Sequence, residues 1–496
     1  MARVNKSLLC AVLLIVGAVG YSRTIDPPYE VGTWRGFRQA AISFTLDDGC
    51  PNQFVIAIPM FNNFGFRLTL FTITGQSPNW TALQTAACQG YEVASHTVTH
   101  PSLSGMTLAQ QTAELKNSQD DINAHIAGQR CVTLAYPYCA TGNEPLCAQY
   151  YIAARGCQGF IEASTPGDFM NISSLICGNL GSVRTAADFN VRFENAAAAR
   201  GWCVLLIHGI DNDGGYSPLP SGTLKACLEY LDARRGRFWV ATFGSVARYV
   251  RERNAVSITE SASQDGRINL HVTDTLDNAI YGDPVTLRRP LPEGWASAHV
   301  SQNGQTADAW IVEVNSRKYV MFDAVPDGGD VVLSKAPAVP VGLTATAGHA
   351  AVGLDWNDNN DMDVAGYNVY RSPTSGSGYS RLNSSVLGSS NYDDAGIPHD
   401  ATCFYVVTAV DVNSTESSYS TEASSGLYGD VTGNHVVEMD DLSGFCEFWL
   451  ETDCHATAGL DLDDDCIVSF HEFAVLAKNW LHSPYPLEPP TSGSRR

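Results

Sequence analysis

The sequence has little positive charge. Only 30 of its 496 residues are Lys or Arg, against 52 Asp or Glu, and the formal net charge is -22. This deficit argues against nucleic acid and anionic membranes as partners, because both select clustered basic residues. It suits a soluble protein that acts on a neutral or cationic polymer or binds calcium. The globular composition, 44% hydrophobic, and the length together predict about three to four domains.

No C-x-x-C pair occurs among the 14 cysteines, which disfavours a zinc ribbon or a dithiol redox site. So many cysteines fit an oxidising compartment. Removal of a leader containing Cys10 would leave an odd number, so at least one cysteine is predicted to be unpaired. The sequence leaves open how the others divide between disulfides and buried thiols.

Long apolar runs are also missing. Residues 8–19 form a short apolar run that follows the basic residues Arg3 and Lys6 and ends at small residues. This pattern predicts a secretory signal peptide over residues 1–20, and hence a secreted, extracellular or cell-surface protein. About 12 apolar residues fall short of the ~20 that a bilayer requires, so no membrane span is predicted.

Residues 33–255 alternate between apolar, β-rich runs and helical stretches. The runs AAISFTL, FRLTLFTI, YEVASHT, CVTLAYPY and WCVLLIHG predict strands, and residues 108–127 and 221–235 predict helices. Strands that alternate with helices indicate an α/β domain with a parallel sheet, and sites in such sheets form where the strands end.

The rest of the chain changes character three times. Residues 256–334 carry short alternating runs between turn residues, which predict a small β-domain. A Pro-rich linker then opens the region 335–427, and residues 429–483 hold two acidic loops, each followed by a helical pattern. Residues 484–496 are predicted to be a disordered tail.

Residues 335–427 resemble a fibronectin type III module. Trp356, the GYNVYR strand with Tyr367 and Tyr370, and the YVVTAVD strand with Tyr405 occur in that family's order. The resemblance implies a β-sandwich with these four aromatic residues in its core.

Three polar motifs follow predicted strands of the first domain. TLDDG supplies Asp47 and Asp48, SHTVTH supplies His96 and His100, and LLIHG supplies His208. Two imidazoles four residues apart can bind one ion together with a carboxylate. Because SHTVTH contains no carboxylate, a general base has to come from elsewhere, and Asp47 is the candidate. Taken singly, each motif is also compatible with an ordinary turn or a capping histidine.

The order TLDDG, SHTVTH, YPY and LLIH resembles the NodB-type polysaccharide deacetylases, the fourth carbohydrate esterase family. The resemblance implies a deformed (β/α) barrel that hydrolyses N-acetyl or O-acetyl groups of a glycan. It implies that Asp48, His96 and His100 bind Zn²⁺ or another divalent transition metal. It further implies that Asp47 is the catalytic base and His208 the general acid.

The third motif departs from that family. An arginine followed by Pro-Pro-Tyr-Gly is usual there, whereas this chain has Ala135-Tyr-Pro-Tyr-Cys139. The Tyr138 N–H is the candidate donor to the oxyanion. We hypothesise that Arg184 supplies the missing positive charge beside Asp47, and the alternative is that Arg184 is an ordinary surface residue.

Oxygen-bearing residues recur at calcium-loop spacing in the two acidic loops, with a backbone carbonyl at position seven of each loop. The predicted calcium ligands are Asp430, Thr432, Asn434, Val436, Glu438 and Asp441 in the first loop, and Asp461, Asp463, Asp465, Ile467, Ser469 and Glu472 in the second.

The pair of loops resembles a dockerin, an all-α, EF-hand-like module that binds Ca²⁺. The resemblance implies a cohesin-like protein or a cell-surface component as a possible partner. At loop position six, where a glycine is expected, the chain has His435 and Cys466. That position needs a left-handed backbone, so weaker calcium binding is expected, more so in the first loop, which has fewer carboxylates.

Two functions of different classes fit these observations. The first is a secreted deacetylase acting on chitin oligomers, peptidoglycan or acetylated hemicellulose. The second is a non-catalytic, glycan-binding scaffold or adhesion protein with a degenerate barrel. Retention of all five metal and proton-transfer residues favours the enzyme, whereas the missing arginine favours the binder.

Overall fold

The protein is described by a computed structural model over residues 24–25, 28–261, 266–347, 351–359, 364–395, 403–412, 414–425, 429, 437–451, 460–461, 466–478 and 480. The predicted signal segment, 1–20, and the predicted tail, 484–496, lie outside these residues. None of the described helices combines the length and the apolarity that a membrane crossing requires.

The strands of the first 255 residues build one parallel sheet, except for the first of them. Their bounds are β1 (Glu30–Val31), β2 (Ala40–Asp47), β3 (Thr69–Thr72), β4 (Glu92–Ser95), β5 (Thr133–Ala135), β6 (Ala153–Arg155), β7 (Leu175–Ile176), β8 (Trp202–Ile207) and β9 (Phe238–Val240).

The parallel sheet has eight strands in the order β6-β5-β4-β3-β2-β8-β7, and β9 also pairs with β2. Strand β2 is central and buried along its whole length, as a strand with both faces covered must be. Over residues 28–261, which are described without a gap, β6 and β7 do not pair as strands, although an isolated parallel bridge joins Arg155 of β6 to Ile172, three residues before β7. The sheet therefore curves as an incomplete barrel, in agreement with the expected deformed (β/α) barrel, and the carboxyl ends of its strands share one edge.

Seven helices pack around this sheet within the same residues. They are α1 (Ile58–Asn63), α2 (Trp80–Cys88), α3 (Leu108–His125), α4 (Glu144–Cys147), α5 (Ala186–Ala199), α6 (Ser221–Asp232) and α7 (Phe243–Ala255). Capping boxes start α3 and α5, where Thr107 and Thr185 exchange hydrogen bonds with the residue three positions on. The two helices predicted from the sequence are α3 and α6, each slightly shorter than expected.

The five predicted strands correspond to β2, β3, β4, β5 and β8. Strands β6, β7 and β9 were not predicted, because their two or three residues show no alternating pattern, whereas the equally short β5 lies within the longer apolar run CVTLAYPY. This omission matters, since β6 ends at a residue of the site.

Residues 257–336 form two antiparallel sheets around a core of their own. Their strands are β10 (Ser257–Ser261), β11 (Arg267–Thr273), β12 (Val285–Pro290), β13 (Ser297–Gln302), β14 (Gln305–Thr306), β15 (Ala309–Val314), β16 (Arg317–Ala324) and β17 (Val331–Ala336). The edge strand β1 pairs with β12, so the chain contributes to this region before it enters the barrel. Nothing in the composition of residues 30–31 predicts that pairing.

Residues 344–424 contribute a three-stranded and a four-stranded antiparallel sheet. Their strands are β18 (Thr344–Ala347), β19 (Ala351–Asp355), β20 (Val364–Ser372), β21 (Ser380–Arg381), β22 (Asn391–Ala395), β23 (Phe404–Asp411) and β24 (Ala423–Ser424). Trp356, Tyr367 and Tyr405 share one core. Tyr370 does not, because it packs with Val406 and Tyr419 in a separate cluster. Tyr367 and Tyr370 are three residues apart in β20 and therefore face opposite sides of the sheet, and all four predicted aromatic residues are buried.

Two short helices follow, α8 (Met439–Glu447) and α9 (Phe470–Lys478). Val437, Phe445, Val468 and Leu476 form a small buried core between them. Isolated β-bridges join Val437 to Trp480 and Trp449 to Val468.

Candidate active site

The carboxyl ends of β2 and β4 bring one carboxylate and two imidazoles together. Asp48 directly follows β2, and His96 directly follows β4 with His100 four residues later. The potential ligand atoms of these three residues all lie within 4.8 Å of one another. Nε2 of His96 is 3.6 Å from Asp48 Oδ1, and Nε2 of His100 is 3.7 Å from the same oxygen. The three residues predicted to bind a metal therefore form one cluster.

The donor set fits a divalent transition metal. Nδ1 of His96 lies 2.8 Å from the Ala135 carbonyl oxygen, which can only accept, so this nitrogen carries the proton and Nε2 keeps its lone pair. Burial lowers the pKa of His96 despite the nearby Asp47 and Asp48, which keeps the ring neutral as a ligand must be. Among the described residues, the buried Oδ1 of Asp48 has no hydrogen-bond partner. Two imidazoles and one carboxylate oxygen suit Zn²⁺ and its neighbours, with room for water or substrate.

Asp47, the last residue of β2, forms a buried ion pair with Arg155, the last residue of β6. Burial alone would raise the pKa of Asp47, but the charge of Arg155 and the hydrogen bond that Arg155 donates hold it below the usual carboxyl range. Asp47 is therefore ionised, as a general base has to be. Arg155 also donates to Ser174 Oγ at 3.3 Å, and its guanidinium lies 5.2 Å from the Phe71 ring centroid.

The hypothesis that Arg184 supplies this charge was wrong. Arg184 is exposed just before α5, where its Nε donates to the Gly181 carbonyl at 2.7 Å. Its backbone N–H donates to Asp188 at 3.0 Å. Arg155 was missed because β6 was missed. The available signal was a single arginine directly after the short apolar run Ile152–Ala154.

His208 directly follows β8 and faces both aspartates. Its Nε2 lies 3.9 Å from Asp47 Oδ2 and 4.0 Å from Asp48 Oδ2. Its buried Nδ1 has no hydrogen-bond partner among the described residues. The ring of Tyr216, which is half exposed, packs edge-on against it at a centroid distance of 5.1 Å. His208 is thus close enough to exchange a proton with a group held by Asp48, His96 and His100.

Two buried side chains that were not predicted hold the strand-end loops in place. Glu114 of α3 accepts hydrogen bonds from the backbone N–H groups of Val98 and Thr99, both at 2.8 Å, inside SHTVTH. Gln53 donates to the carbonyl of Asp47 at 2.6 Å and to that of His208 at 2.9 Å. Gln53 thereby joins the ends of β2 and β8, and Glu114 holds the histidine loop against α3.

Left-handed backbone is concentrated at this edge of the barrel. Asp48 has φ 71°, Thr97 66°, His100 60°, Tyr138 55° and Cys139 57°. Each such residue with a side chain costs roughly 1 kcal/mol or more, and a β-branched residue such as Thr97 is a genuine outlier. Strain of this kind persists only where the surrounding contacts impose it, and it marks functional loops.

Tyr138 lies in the short turn that follows β5. Its ring is 72% exposed and packs edge-on against the His100 ring at a centroid distance of 4.7 Å. The next residue, Cys139, forms a disulfide with Cys157. The third motif therefore lies beside the cluster of Asp48, His96 and His100, as its predicted role requires.

Nine described cysteines are free thiols, so the expectation of at least one unpaired cysteine is confirmed.

The predicted calcium loops are described only in part. Asp430, Thr432, Asn434, Val436, Asp463 and Asp465 lie outside the described residues. In the second loop, Asp461 Oδ2 accepts a hydrogen bond from the Cys466 N–H at 2.8 Å, and Cys466 has φ 65°. Position six is therefore left-handed without a glycine. Glu472 is fully buried, and the buried Oδ1 of Asp461 has no hydrogen-bond partner in the described part of the chain.

Ile467 and Ser469 lie between Cys466 and Glu472, and the Ser469 N–H and hydroxyl both donate to Glu472 Oε2, at 2.8 and 3.0 Å. In the first loop, Asp441 Oδ2 accepts from the Glu438 N–H at 2.8 Å, and Asp441 is fully buried. The carboxylates that close the two loops are therefore held in the same way, at the start of α8 and α9.

Residues 35–150 match the family model for polysaccharide deacetylase. A gellan lyase of Bacillus sp is 30% identical over 337 residues, which are 63% of this chain and 14% of that protein. An amylopullulanase of Thermoanaerobacterium saccharolyticum is 29% identical over 25% of this chain and 10% of its own length. This chain thus spans only a small part of these curated relatives.

Solved structures are also similar to part of this chain. One is the Xyl-CE4 domain of a multidomain xylanase from the hindgut metagenome of Trinervitermes trinervoides. It is 19% identical, with a TM-score of 0.31, and the match covers 42% of this chain and 89% of that one.

The family match spans β2 to α4 and includes the residues at the ends of β2, β4 and β5, while His208 follows it in the sequence. A deacetylase of this kind is a hydrolase. The barrel of this chain is therefore similar, over residues 35–150, to the polysaccharide deacetylase domain.

Proposed function

We propose that this protein is a secreted, metal-dependent deacetylase that hydrolyses N-acetyl or O-acetyl groups of a glycan, such as chitin oligomers, peptidoglycan or acetylated hemicellulose. One observation carries the proposal. The Asp48–His96–His100 cluster lies beside an ionised, arginine-paired Asp47, with His208 about 4 Å from both carboxylates. These five residues lie at one edge of the barrel, which supports their roles as metal ligands, base and acid.

Asp48, His96 and His100 would hold the ion, which when bound supplies a Lewis acid for the acyl carbonyl and for water. Asp47 takes the proton of the attacking water. Its pairing with Arg155 keeps it ionised and fixes the orientation of its carboxylate. The buried Oδ1 of Asp47, which has no partner among the described residues, is the atom free to accept that proton.

The backbone N–H of Tyr138 donates to the developing oxyanion, a contact whose loss typically costs ~3 kcal/mol in the transition state. His208 then donates its proton to the departing amine or hydroxyl of the sugar. Its Nε2 faces the cluster, which is the position this step requires.

Two exposed tyrosine rings flank the cluster and support a sugar polymer as the substrate. Tyr138 packs against His100 and Tyr216 against His208, so the rings border the two sides of the site. Partly exposed aromatic rings offer apolar faces with a polar edge, a surface that suits the C–H faces of pyranose rings.

The decisive test is acetate release by the full chain, after loading with Zn²⁺, Co²⁺ or Ni²⁺, from chitin oligomers, peptidoglycan and acetylxylan. Asp47→Asn is the matched control, since it keeps shape and removes the basic carboxylate. We expect release from at least one substrate and a loss of ~10³-fold or more in the variant. No release from any substrate with any metal contradicts the proposal.

The competing function is a non-catalytic glycan binder. It predicts binding of the same polymers without acetate release, and Asp47→Asn would leave the affinity unchanged. Metal content does not discriminate the two functions, since a binder can also hold the ion.

For the C-terminal module we propose Ca²⁺ binding at both acidic loops, with docking to a cohesin-like protein or a cell-surface component. The buried Asp461 and Glu472 and the left-handed Cys466 support this for the second loop. Isothermal titration should show calcium uptake by the full chain, and Asp461→Asn should weaken it. Absence of uptake at millimolar calcium contradicts the proposal.

Residues 335–427 are proposed to be a fibronectin type III module, supported by the three-stranded and four-stranded sheets around Trp356. Secretion is proposed from the character of residues 1–20. Mass spectrometry of the mature N-terminus after expression in a secreting bacterium checks it, because an intact N-terminus on cell-associated protein contradicts secretion.

A further inference from the structure

The Cys139–Cys157 disulfide joins two strand-end loops of the candidate active site. Cys139 directly follows Tyr138 in the turn after β5. Cys157 lies two residues beyond Arg155, the last residue of β6. The bridge therefore connects the loop of the proposed oxyanion donor to the strand end that carries the partner of the base.

The backbone contacts between these loops end where the strands end. Ala135 pairs in register with Arg155, and the Tyr136 N–H donates to the Arg155 carbonyl at 3.0 Å. Beyond that point the loops separate. The turn closes on itself through Cys139 N–H to Tyr136 O at 3.1 Å, and Gly156 N–H turns away to Ile172 O at 2.8 Å.

Within the described residues, no backbone hydrogen bond joins residues 137–140 to residues 156–159. The sulfur bridge, with a Cα–Cα distance of 5.6 Å, is thus the covalent connection that continues the β5–β6 pairing into the site.

The backbone that the bridge holds is strained. Tyr138 and Cys139 are consecutive left-handed residues with side chains, at φ 55° and 57°. Such a conformation persists only where the surroundings over-determine it. Tyr138 is largely exposed, so the contact of its ring with His100 restrains the backbone little. The hydrogen bonds Cys139 N–H to Tyr136 O at 3.1 Å and Ala140 N–H to Pro137 O at 3.0 Å act only within the turn, so the disulfide is the covalent restraint that connects the turn to the segment after β6.

We propose that the Cys139–Cys157 disulfide is a positioning element of the active site, which holds the Tyr138 backbone against the strand end that carries Arg155. The catalytic consequence rests on the proposed deacetylase function, whereas the ordering of residues 136–140 does not. The metal cluster belongs to other loops, held by Glu114 and Gln53, so loss of the bridge should leave it intact.

The test compares the full chain with the double variant Cys139→Ser/Cys157→Ser. We expect kcat to fall ~10-fold or more, KM to change less than about twofold and the metal content to stay the same, since a misplacement of about 1 Å is enough for such a loss. Hydrogen exchange of the peptide 136–142 should become faster, while that of the peptide 92–100 stays unchanged.

Two matched variants separate positioning from general stability. Cys88→Ser removes an exposed free thiol of the same barrel and should change neither kcat nor exchange. Cys139→Gly/Cys157→Ser should recover part of kcat relative to the double serine variant, because glycine adopts positive φ without steric cost.

The same comparison can be made on unmutated protein if the variants do not fold. A dithiol such as dithiothreitol transfers two electrons and two protons to the bridge, which gives two thiols and the cyclic disulfide of the reagent. Reoxidation should restore kcat.

Wild-type kcat and unchanged exchange in the double serine variant, or in the reduced protein, would overturn the inference. Absence of acetate release by the oxidised wild type is a different failure. It contradicts the proposed function, and the exchange comparison still decides whether the bridge orders the loop.

Discussion

Strand β4 runs between the two ends of the barrel, and the buried polar side chains at these two ends differ in their hydrogen bonding. At its start, Glu92 accepts hydrogen bonds from Thr69 Oγ1 at 2.8 Å, Gly244 N–H at 2.8 Å and Thr133 Oγ1 at 2.6 Å. Just beyond its end, His96 faces two aspartates whose buried Oδ1 atoms have no hydrogen-bond partner among the described residues. At the start of β4, which we call the closed end, the hydrogen bonds of the buried carboxylate are satisfied by the protein itself. Just beyond the end of β4, which we call the open end, buried polar atoms remain for a ligand.

The difference separates stability from function. A carboxylate that accepts three hydrogen bonds ties β3, β4, β5 and α7 together and contributes free energy of folding. Buried polar atoms without partners cost free energy, and so does the left-handed backbone at the same edge. The closed end is thus expected to carry the stability and the open end the chemistry.

The largest expected effect is at the open end. Asp48→Asn keeps the size of the side chain and tolerance of the left-handed backbone, but removes the charge of a predicted metal ligand. Acetate release should fall by about 10³-fold, or ~4 kcal/mol of activation free energy. Urea unfolding should show a free energy within ~0.5 kcal/mol of wild type. A variant with full activity would contradict the proposed role of Asp48 as a metal ligand.

The next effect is at the closed end. Glu92→Ala leaves two hydroxyls and one backbone N–H without their acceptor, so the free energy of unfolding should fall by about 3 kcal/mol. Activity measured well below the unfolding temperature should stay within about twofold of wild type. Glu92→Gln, which keeps one acceptor oxygen, is the matched control and should lose less. Loss of activity without loss of stability would contradict the view that the closed end contributes stability rather than chemistry.

Glu114 combines features of the two ends. Its carboxylate is satisfied by hydrogen bonds, as at the closed end, and it holds the loop 96–100 that carries His96 and His100 at the open end. Glu114→Gln should weaken the metal affinity by about 10-fold, or ~1.4 kcal/mol, as loss of an outer partner of the ligands usually does. Metal titration monitored by the visible spectrum of Co²⁺ measures this directly. An unchanged affinity would show that the loop keeps its shape without Glu114.

The smallest effect concerns Glu252, a buried carboxylate of α7 outside the site. Its Oε1 accepts from the Asp283 N–H at 2.8 Å, and its Oε2 has no partner among the described residues. Burial and the nearby Asp283 raise the pKa of Glu252 to about 8. The folded protein therefore keeps the proton up to about pH 8, whereas the unfolded chain releases it near about pH 4.3.

As the pH rises through that window, the unfolded state ionises first, and the free energy of unfolding falls. Glu252→Gln removes this penalty, so the variant should be more stable than wild type by at least about 1 kcal/mol at pH 8, with the difference fading near pH 4. Urea unfolding at the two pH values measures it. An equal difference at both values would show that titration of Glu252 is not the cause.

The sequence predicted much of the open end. Asp47, Asp48, His96, His100 and His208 all lie at strand ends, and the structure brings them together. Asp47, Asp48 and His208 were readable because they follow apolar runs, and His96 and His100 because of their four-residue spacing. The carboxyl ends of parallel strands meet at one edge, which brings these residues together. The closed end was not predicted, since a glutamate at the start of a strand carries no signal until its three partners are known.

Local chemistry was therefore determined by the sequence alone: which residues can bind a metal and which can move a proton. The tertiary structure decided which distant residues meet. Arg155 rather than Arg184 pairs with Asp47 across 108 positions, Cys139 bonds to Cys157, Glu30 of β1 pairs with Arg288 across 258 positions, and Tyr370 packs in a cluster apart from the other core aromatic residues. Such pairings depend on which distant strands lie side by side, and strands of two or three residues leave no alternating pattern from which that pairing could be predicted.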